Sequence, residues 1–381
     1  MHKVLIQPAT YQDCRKAVEA AFEAFPRPVR GHNILIKPNV LRGGVPEEAI
    51  TTHPAILRAV VECLLDLGAT DLTVGDNPGL MGYGANEACF ELCGLTEASL
   101  GHYRNIGLDA VELPFTTLGD PNLLPRVSVS RAVLEADILI SLPKFKTHGL
   151  TVLTGALKNS YGILPGAQKA HLHKLSGSPQ RFQEVIVDVF RLRPPDFFVV
   201  DAVVGMQGNG PASTELRWIG KVLAADNAVA LDGVIARMMG VDPSLLRMLT
   251  YACGLGLGEF SDESLKVLGQ LSPIPDFKLP PLDGGAIQRS QVLQDLLEGS
   301  IVKRPKADPA RCTGCGTCVA QCPASALALV DTPGGPLAVV DAALCIGCFC
   351  CQEMCPEKAI ALVREEPGGQ AGSGCPCSHG K

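Results

Sequence analysis

An internal repeat near the C-terminal end limits most strongly how this chain can fold. Asp308 to Val330 (DPARCTGCGTCVAQCPASALALV) aligns without gaps on Asp341 to Val363 (DAALCIGCFCCQEMCPEKAIALV), offset by 33 residues, with 12 of 23 positions identical. Each copy is a cysteine-rich loop followed by a short apolar stretch, too small to bury a core by itself. The two copies must therefore pack on each other around whatever their cysteines hold. Of 16 cysteines in the chain, 11 lie within residues 312–381, so this end is chemically unlike the rest.

Cys312, Cys315, Cys318 and Cys322 follow the spacing CxxCxxCxxxC and precede Pro323; Cys345, Cys348, Cys351 and Cys355 repeat it before Pro356. Soft thiolates at these intervals suit iron–sulfur clusters, because one loop can wrap three corners of a cluster. A disulfide framework and a pair of zinc sites are the competing readings. Zinc motifs usually show two separated cysteine pairs instead. Met1 to Tyr11 has no basic region followed by a long apolar run, so no secretory signal is expected and the thiols are read as cytoplasmic and reduced. Gly314 and Gly347 occupy matched loop positions, where the lack of a Cβ lets backbone amides approach cluster sulfurs. Cys350, whose counterpart is Thr317, reads as a spare thiol.

Residues 308–363 resemble the bacterial-type ferredoxin domain that carries two [4Fe-4S] clusters, a small α+β unit. The resemblance implies one-electron transfer with redox partner proteins. It also implies exchanged ligands: Cys312, Cys315, Cys318 and Cys355 for one cluster, and Cys345, Cys348, Cys351 and Cys322 for the other.

The preceding residues read differently. Asn33 to Lys37 and Asp71 to Val74 are strand candidates flanking a helical pattern from Pro54 to Leu67, a βαβ unit. Later strands are expected at Asp137 to Leu142, Asp196 to Val200 and Lys221 to Ala225, and helices at Gln180 to Arg191, Ala228 to Met239 and Pro243 to Cys253. The alternation predicts an α/β domain over residues 1–300 with a mostly parallel sheet covered by helices on both faces. The junction is placed in IVKRPKADP, giving a ferredoxin-like domain at 301–364 and a flexible tail at 365–381 with Cys375, Cys377 and His379.

Polar residues gather where these strands should end. Lys37 and Asn39 follow the first, Asp76 and Asn77 the second, and Lys144, Lys146 and His148 the third; His53 precedes a helix, and Lys158 and Asn159 lie about one turn inside another. Ligands of open α/β sheets bind outside the carboxyl ends of the strands, so these eight basic and amide residues (Lys37, Asn39, His53, Lys144, Lys146, His148, Lys158 and Asn159) predict a cleft for an anionic small molecule. Gly166, Lys169, His171 and His173 read as a loop, and GMQGNGP at Gly205 to Pro211 as a glycine-rich loop after Asp201. Asp201, Asp226 and Asp232 are expected to be buried, capping helices or ending strands, with orienting basic residues or binding a metal as the alternative.

Several segments in order, IKPNV at Ile36 to Val40, ADILISLPKFKTHGLTVLTGALKNSYG at Ala136 to Gly162, VDAVVGMQGNGP at Val200 to Pro211 and ALDGVIARMMGVDP at Ala230 to Pro243, resemble the family catalogued as domain of unknown function 362. That resemblance implies an architecture often fused to a two-cluster ferredoxin, without an assigned reaction. No nucleophile elbow, phosphate loop or HExxH motif is legible. A net charge of −6 gives no footprint for nucleic acid, and no uncharged apolar run approaches the roughly 18 residues of a membrane helix. The functions in view are an iron–sulfur electron-transfer protein whose large domain binds an anionic ligand or a redox partner, a ferredoxin-coupled reductase acting on an anionic substrate, and a redox-sensing regulator or cluster-delivery protein.

Overall fold

Short apolar runs ending at polar or proline residues set the strands of the large domain, and capping residues set its helices. In the computed structural model the residues described are 1–79, 85–166, 168–280, 303–320, 322, 324–345, 351–352, 355–357 and 359–364. The chain runs through β1 (His2–Pro8), α1 (Cys14–Ala24), β2 (Asn33–Pro38), α2 (Pro54–Asp66), β3 (Asp71–Val74), α3 (Ala85–Leu92), α4 (Leu95–Ala98), β4 (Ala110–Pro114), β5 (Arg126–Ser130) and α5 (Arg131–Glu135). It continues with β6 (Ile138–Leu142), β7 (Lys144–His148), β8 (Val152–Leu153), α6 (Ala156–Asn159), α7 (Gln168–Ser176), α8 (Pro179–Phe190), β9 (Phe197–Met206), β10 (Leu216–Ala225), α9 (Ala228–Met238), α10 (Arg247–Gly254) and β11 (Leu265–Leu268).

The central sheet has the order β11-β1-β10-β9-β6-β2-β3, with β7 beside β9 and β8 beside β7. β3, β2, β6, β9 and β7 are joined by parallel pairings, as are β1 and β11, whereas β10 is antiparallel to both its neighbours. The mostly parallel sheet expected from the alternation is present. Side chains alternate between two cores: Ile34, Ile36 and Val199 point to the face covered by α1 and α2, and Leu35, Phe198 and Val200 to the face covered by α8, α9 and α10. Cys14, Cys63, Cys89 and Cys93 are buried in the first of these cores; burial pushes the Cys14 thiol up to about 12 and those of Cys63 and Cys89 up to about 11, so they stay protonated.

Four local expectations need correction. β9 does not stop at Val200 but continues through Asp201 to Met206. An acidic residue interrupts the apolar run in sequence, yet Asp201 is fully buried because Lys144 pairs with it. The segment from Lys144 to His148, expected only as the residues following a strand, is itself a strand. Pro143, which has no N–H to give a ladder, divides β6 from β7, and β9 pairs with each in turn. Lys169, His171 and His173 lie on helix α7, not in a loop, and Asp226 is exposed.

The C-terminal residues form β12 (Lys303–Ala307), β13 (Leu327–Thr332), β14 (Gly335–Val340) and β15 (Ile360–Arg364). β12 pairs antiparallel with β15, and β13 forms a hairpin with β14. The two repeats clasp each other with matched bonds. The Asp308 amide donates to the Ala359 carbonyl (2.7 Å), and the Asp341 amide donates to the Ala326 carbonyl (2.8 Å), positions related by the 33-residue offset. Cys318, Cys351 and Cys355 are buried among Ala307, Leu327, Ala338, Ala359 and Ile360, so sulfur occupies much of this small core. The tail from 365 and Gly347, Cys348 and Cys350 lie outside the described residues.

Candidate functional site

Three groups of side chains occupy separate places in the molecule, the first being the cysteines. Cys312, Cys315 and Cys318 of the first repeat and Cys355 of the second line one hollow together with Gly314, Gly316 and Pro356. All four are free thiols. Burial pushes Cys318 up to about 11, with further increments from Cys355, Cys315 and Cys312, so these three thiols sit close enough to oppose the ionisation of Cys318. Cations among them would relieve that repulsion. Cys322 and Cys355 also accept matched amide bonds, from Ala326 (3.2 Å) and Ala359 (3.3 Å), the kind of donor that stabilises ligating sulfur. Gly314 adopts φ +68°, and a Cβ there would come 2.8 Å from Pro336. Its small size therefore serves packing under the hairpin as well as backbone approach to sulfur.

This donor set fits an iron–sulfur cluster, whose irons would each take one thiolate and supply a one-electron couple. Among the described residues no three His, Cys, Asp or Glu side chains converge as ligands of a single ion. That bears on mononuclear sites, since cluster ligands address separate corners. Cys322, Cys345 and Cys351 of the other expected set are described, whereas Cys348 is not.

The second group lines a hollow at the carboxyl ends of β2, β3 and β7. Six of the eight predicted cleft residues meet there: Lys37, Asn39, Lys146, His148, Lys158 and Asn159. Lys37 is fully buried and its Nζ lies 2.7 Å from Asp76 Oδ1. The same ammonium donates to the Pro38 carbonyl and to Asn159 Oδ1. Asp76 in turn accepts from the amides of Val40 (2.8 Å) and Asn77 (2.9 Å). Burial pulls the Lys37 pKa down while Asp76 pulls it up.

The other cations are held by different means. Lys146 donates to the Ile50 carbonyl (2.6 Å), and Lys158 lies over the rings of Tyr161 and Phe182. Lys169 reaches from α7 to donate to the carbonyls of Asn77 and Pro78, both at 2.8 Å. Burial lowers its pKa to about 7, assisted by Lys37 and Lys158 and opposed by Asp76. His148 Nδ1 accepts from the amides of Leu150 (3.1 Å) and Thr151 (3.3 Å), so the neutral ring carries its proton on Nε2. Asp76 is the one carboxylate on this lining among the described residues, and Lys37 already neutralises it. Lys37, Lys146, Lys158 and Lys169 thus bring four amines to a described lining that holds this single carboxylate.

Lys144 and His53 are not there. They form a third group with Tyr11 and Asp201. Lys144 Nζ lies 2.7 Å from Asp201 Oδ2 and donates to the Tyr11 hydroxyl (2.9 Å), which donates to Asp201 Oδ1 (3.2 Å). The Tyr11 ring stacks on His53 at 3.6 Å between centroids. The His53 amide donates to Asp201 Oδ2 (2.8 Å), and its Nδ1 caps α2 by accepting from the Ala55 amide. The N-terminus of α2 does attract negative charge, but the chain supplies it from Asp201. Nothing local in the sequence marks Tyr11, whose partners lie 133 and 190 residues away.

Asp232 is fully buried in α9 and accepts from the amides of Ala156 (2.6 Å) and Leu157 (3.0 Å), capping the short helix that carries Lys158 and Asn159. Burial raises its pKa to about 7, and those two amide bonds pull it back.

Residues 34–237 match the family described as domain of unknown function (DUF362), and residues 304–359 match the 4Fe-4S dicluster domain. The thylakoid-associated protein sll1697 of Synechocystis is 28% identical over 268 residues, covering 67% of this chain and 79% of that protein. Among solved structures, the lactate racemase apoprotein of Thermoanaerobacterium thermosaccharolyticum aligns at 11% identity and a TM-score of 0.40, covering 59% of this chain. A Thermotoga maritima protein aligns at 11% identity and 0.34, covering 52%. The chain spans about half of each of these solved chains, 54% and 52%.

Proposed function

The chain belongs to the DUF362 family and carries a 4Fe-4S dicluster domain, and from that premise we propose that it is an electron-transfer protein with two [4Fe-4S] clusters whose large domain binds a small anion. Cys312, Cys315, Cys318 and Cys355 hold one cluster in this reading, and Cys345, Cys348, Cys351 and Cys322 the other. A redox protein partner exchanges electrons with them. The hollow at the strand ends takes the anion. The observation that carries this reading is the convergence of Lys37, Lys146, Lys158 and Lys169 on one hollow, where Asp76 is the one carboxylate among the described lining residues. Such fixed donors in a partly desolvated pocket favour an oxyanion. Reduced thiols and clusters agree with a cytoplasmic setting. Among the described residues no helix is long and apolar enough to cross a membrane.

A second reading, a reductase acting on the bound anion, is favoured by one arrangement. Gly208 and Asn209 share a hollow with Arg311, Pro356 and Glu357, which adjoin Cys312 and Cys355, while Pro211 of the same glycine-rich loop lines the anion pocket. In this reading that loop lies between the pocket and the cysteines.

Calorimetric titration of anaerobically purified protein with inorganic phosphate tests the pocket. Binding should weaken by about tenfold or more in Lys158→Ala, as expected when a charged hydrogen-bond donor is lost. Equal affinity in both proteins would defeat the assignment. A bound anion that alters the electron paramagnetic resonance of the reduced clusters would favour the reductase reading, and unaltered spectra would favour simple electron transfer.

A further inference from the structure

We infer that the anion is a small phosphate or carboxylate that also carries a hydroxyl group, an inference that rests on the pocket reading above. Buried polar atoms in folded proteins almost always have hydrogen-bond partners, so a buried oxygen lacking one on a pocket wall is a place for a water or a ligand to bond. The Thr154 hydroxyl and the Asn39 side-chain carbonyl are such oxygens, and both belong to the lining of this hollow. Thr154 is only 3% exposed. Both are held on fixed backbone: the Thr154 amide donates to the Lys146 carbonyl (2.9 Å), and the Asn39 amide to Thr52 Oγ1 (2.8 Å).

The remaining lining has the opposite character. Ammonium groups can only donate. An unprotonated oxyanion would match these donors but would offer nothing to Asn39 Oδ1, which can only accept. A hydroxyl on the same molecule supplies the missing proton, with Thr154 able to accept it or pass it on. The pocket thus has a donor-rich part for the charge and an acceptor pair for the hydroxyl.

Two matched pairs of probes test this on the full, anaerobically purified holoprotein by calorimetry: glycerol phosphate against propyl phosphate, and glycerate against propionate. The hydroxylated member should bind about tenfold or more tightly in at least one pair, the order expected when buried acceptors would otherwise lose their donor. The pair that binds distinguishes a phosphate from a carboxylate ligand. Thr154→Val should erase most of the preference while changing the affinity of the hydroxyl-free member by no more than about twofold. Equal binding within both pairs would overturn the inference and leave the anion pocket standing. Failure of all four probes and of inorganic phosphate would overturn the pocket itself. The wild-type comparison decides the matter even if the valine variant does not fold.

Discussion

Lys37 Nζ and Asp76 Oδ1 lie 2.7 Å apart, with the two side chains 0% and 2% exposed. The pair closes the pocket at the ends of adjacent parallel strands, and each partner makes the burial of the other tolerable. Removing one leaves an uncompensated charge, which typically costs about 3–5 kcal/mol, whereas replacing both with apolar groups of similar size is far less harmful. Asp76→Ala should therefore lower unfolding stability by roughly that amount. Lys37→Met combined with Asp76→Leu should recover a substantial part of it. A urea titration in which the single variant matches the wild type would show that the pair is not buried as described.

Gly162 lies against this pair because it lacks a side chain. An added Cβ would come 2.2 Å from Asp76 Oδ1 and 2.7 Å from Lys37 Nζ. Gly162→Ala must displace the pair, and a loss of about 1–3 kcal/mol is expected together with weaker anion binding. Thermal melting and phosphate titration on the same preparation check both effects.

Lys169 gives the pocket a pH dependence. Burial lowers its pKa to about 7, so in the folded protein it is charged below that pH and neutral above it. Anion affinity should fall as pH rises through about 7. Glycerate is a suitable probe because its own charge is constant across the interval. Lys169→Met should flatten the profile. Folding responds with the opposite sign: above about 7 the unfolded chain binds the proton that the folded chain has lost, so this residue makes stability rise with pH up to the ordinary lysine range. A glycerate affinity independent of pH in the wild type would remove Lys169 from the pocket's chemistry.

Lys144 provides a control. Its ammonium is committed to Asp201 and Tyr11, away from the anion hollow. Lys144→Met should destabilise the fold by roughly 3–5 kcal/mol by stranding a buried carboxylate, yet leave phosphate affinity of the folded protein within about twofold of wild type. A large loss of affinity at full folding would return Lys144 to the binding site.

The parts of this molecule that were legible in sequence are those encoded locally. Apolar runs such as Ile34 to Ile36 and the 33-residue cysteine repeat depend on near neighbours, so period and spacing reveal them. The strand containing Lys144, Lys146 and His148 was hidden because polar residues do not read as a buried strand. Their burial depends on Asp201, on the Ile50 carbonyl and on the amides of Leu150 and Thr151. Asp201 likewise masked the second half of β9. Lys144 and Lys146, two residues apart, looked like one basic site, but each is claimed by a different distant partner and they serve different clusters. Tyr11 is not legible in sequence, because a tyrosine near the start of the chain carries no local sign of an ammonium that meets it 133 positions later.

The central claim is that the exchanged cysteine sets hold two clusters beside an anion-binding domain. Iron and acid-labile sulfide measured on anaerobically purified protein, alongside Cys355→Ala, test it most directly. The wild type should contain about eight irons per chain, the number in two four-iron clusters, and the variant should lose the cluster whose other ligands come from Cys312, Cys315 and Cys318, leaving about four. Zinc in place of iron, or an iron content that Cys355→Ala leaves unchanged, would contradict the account.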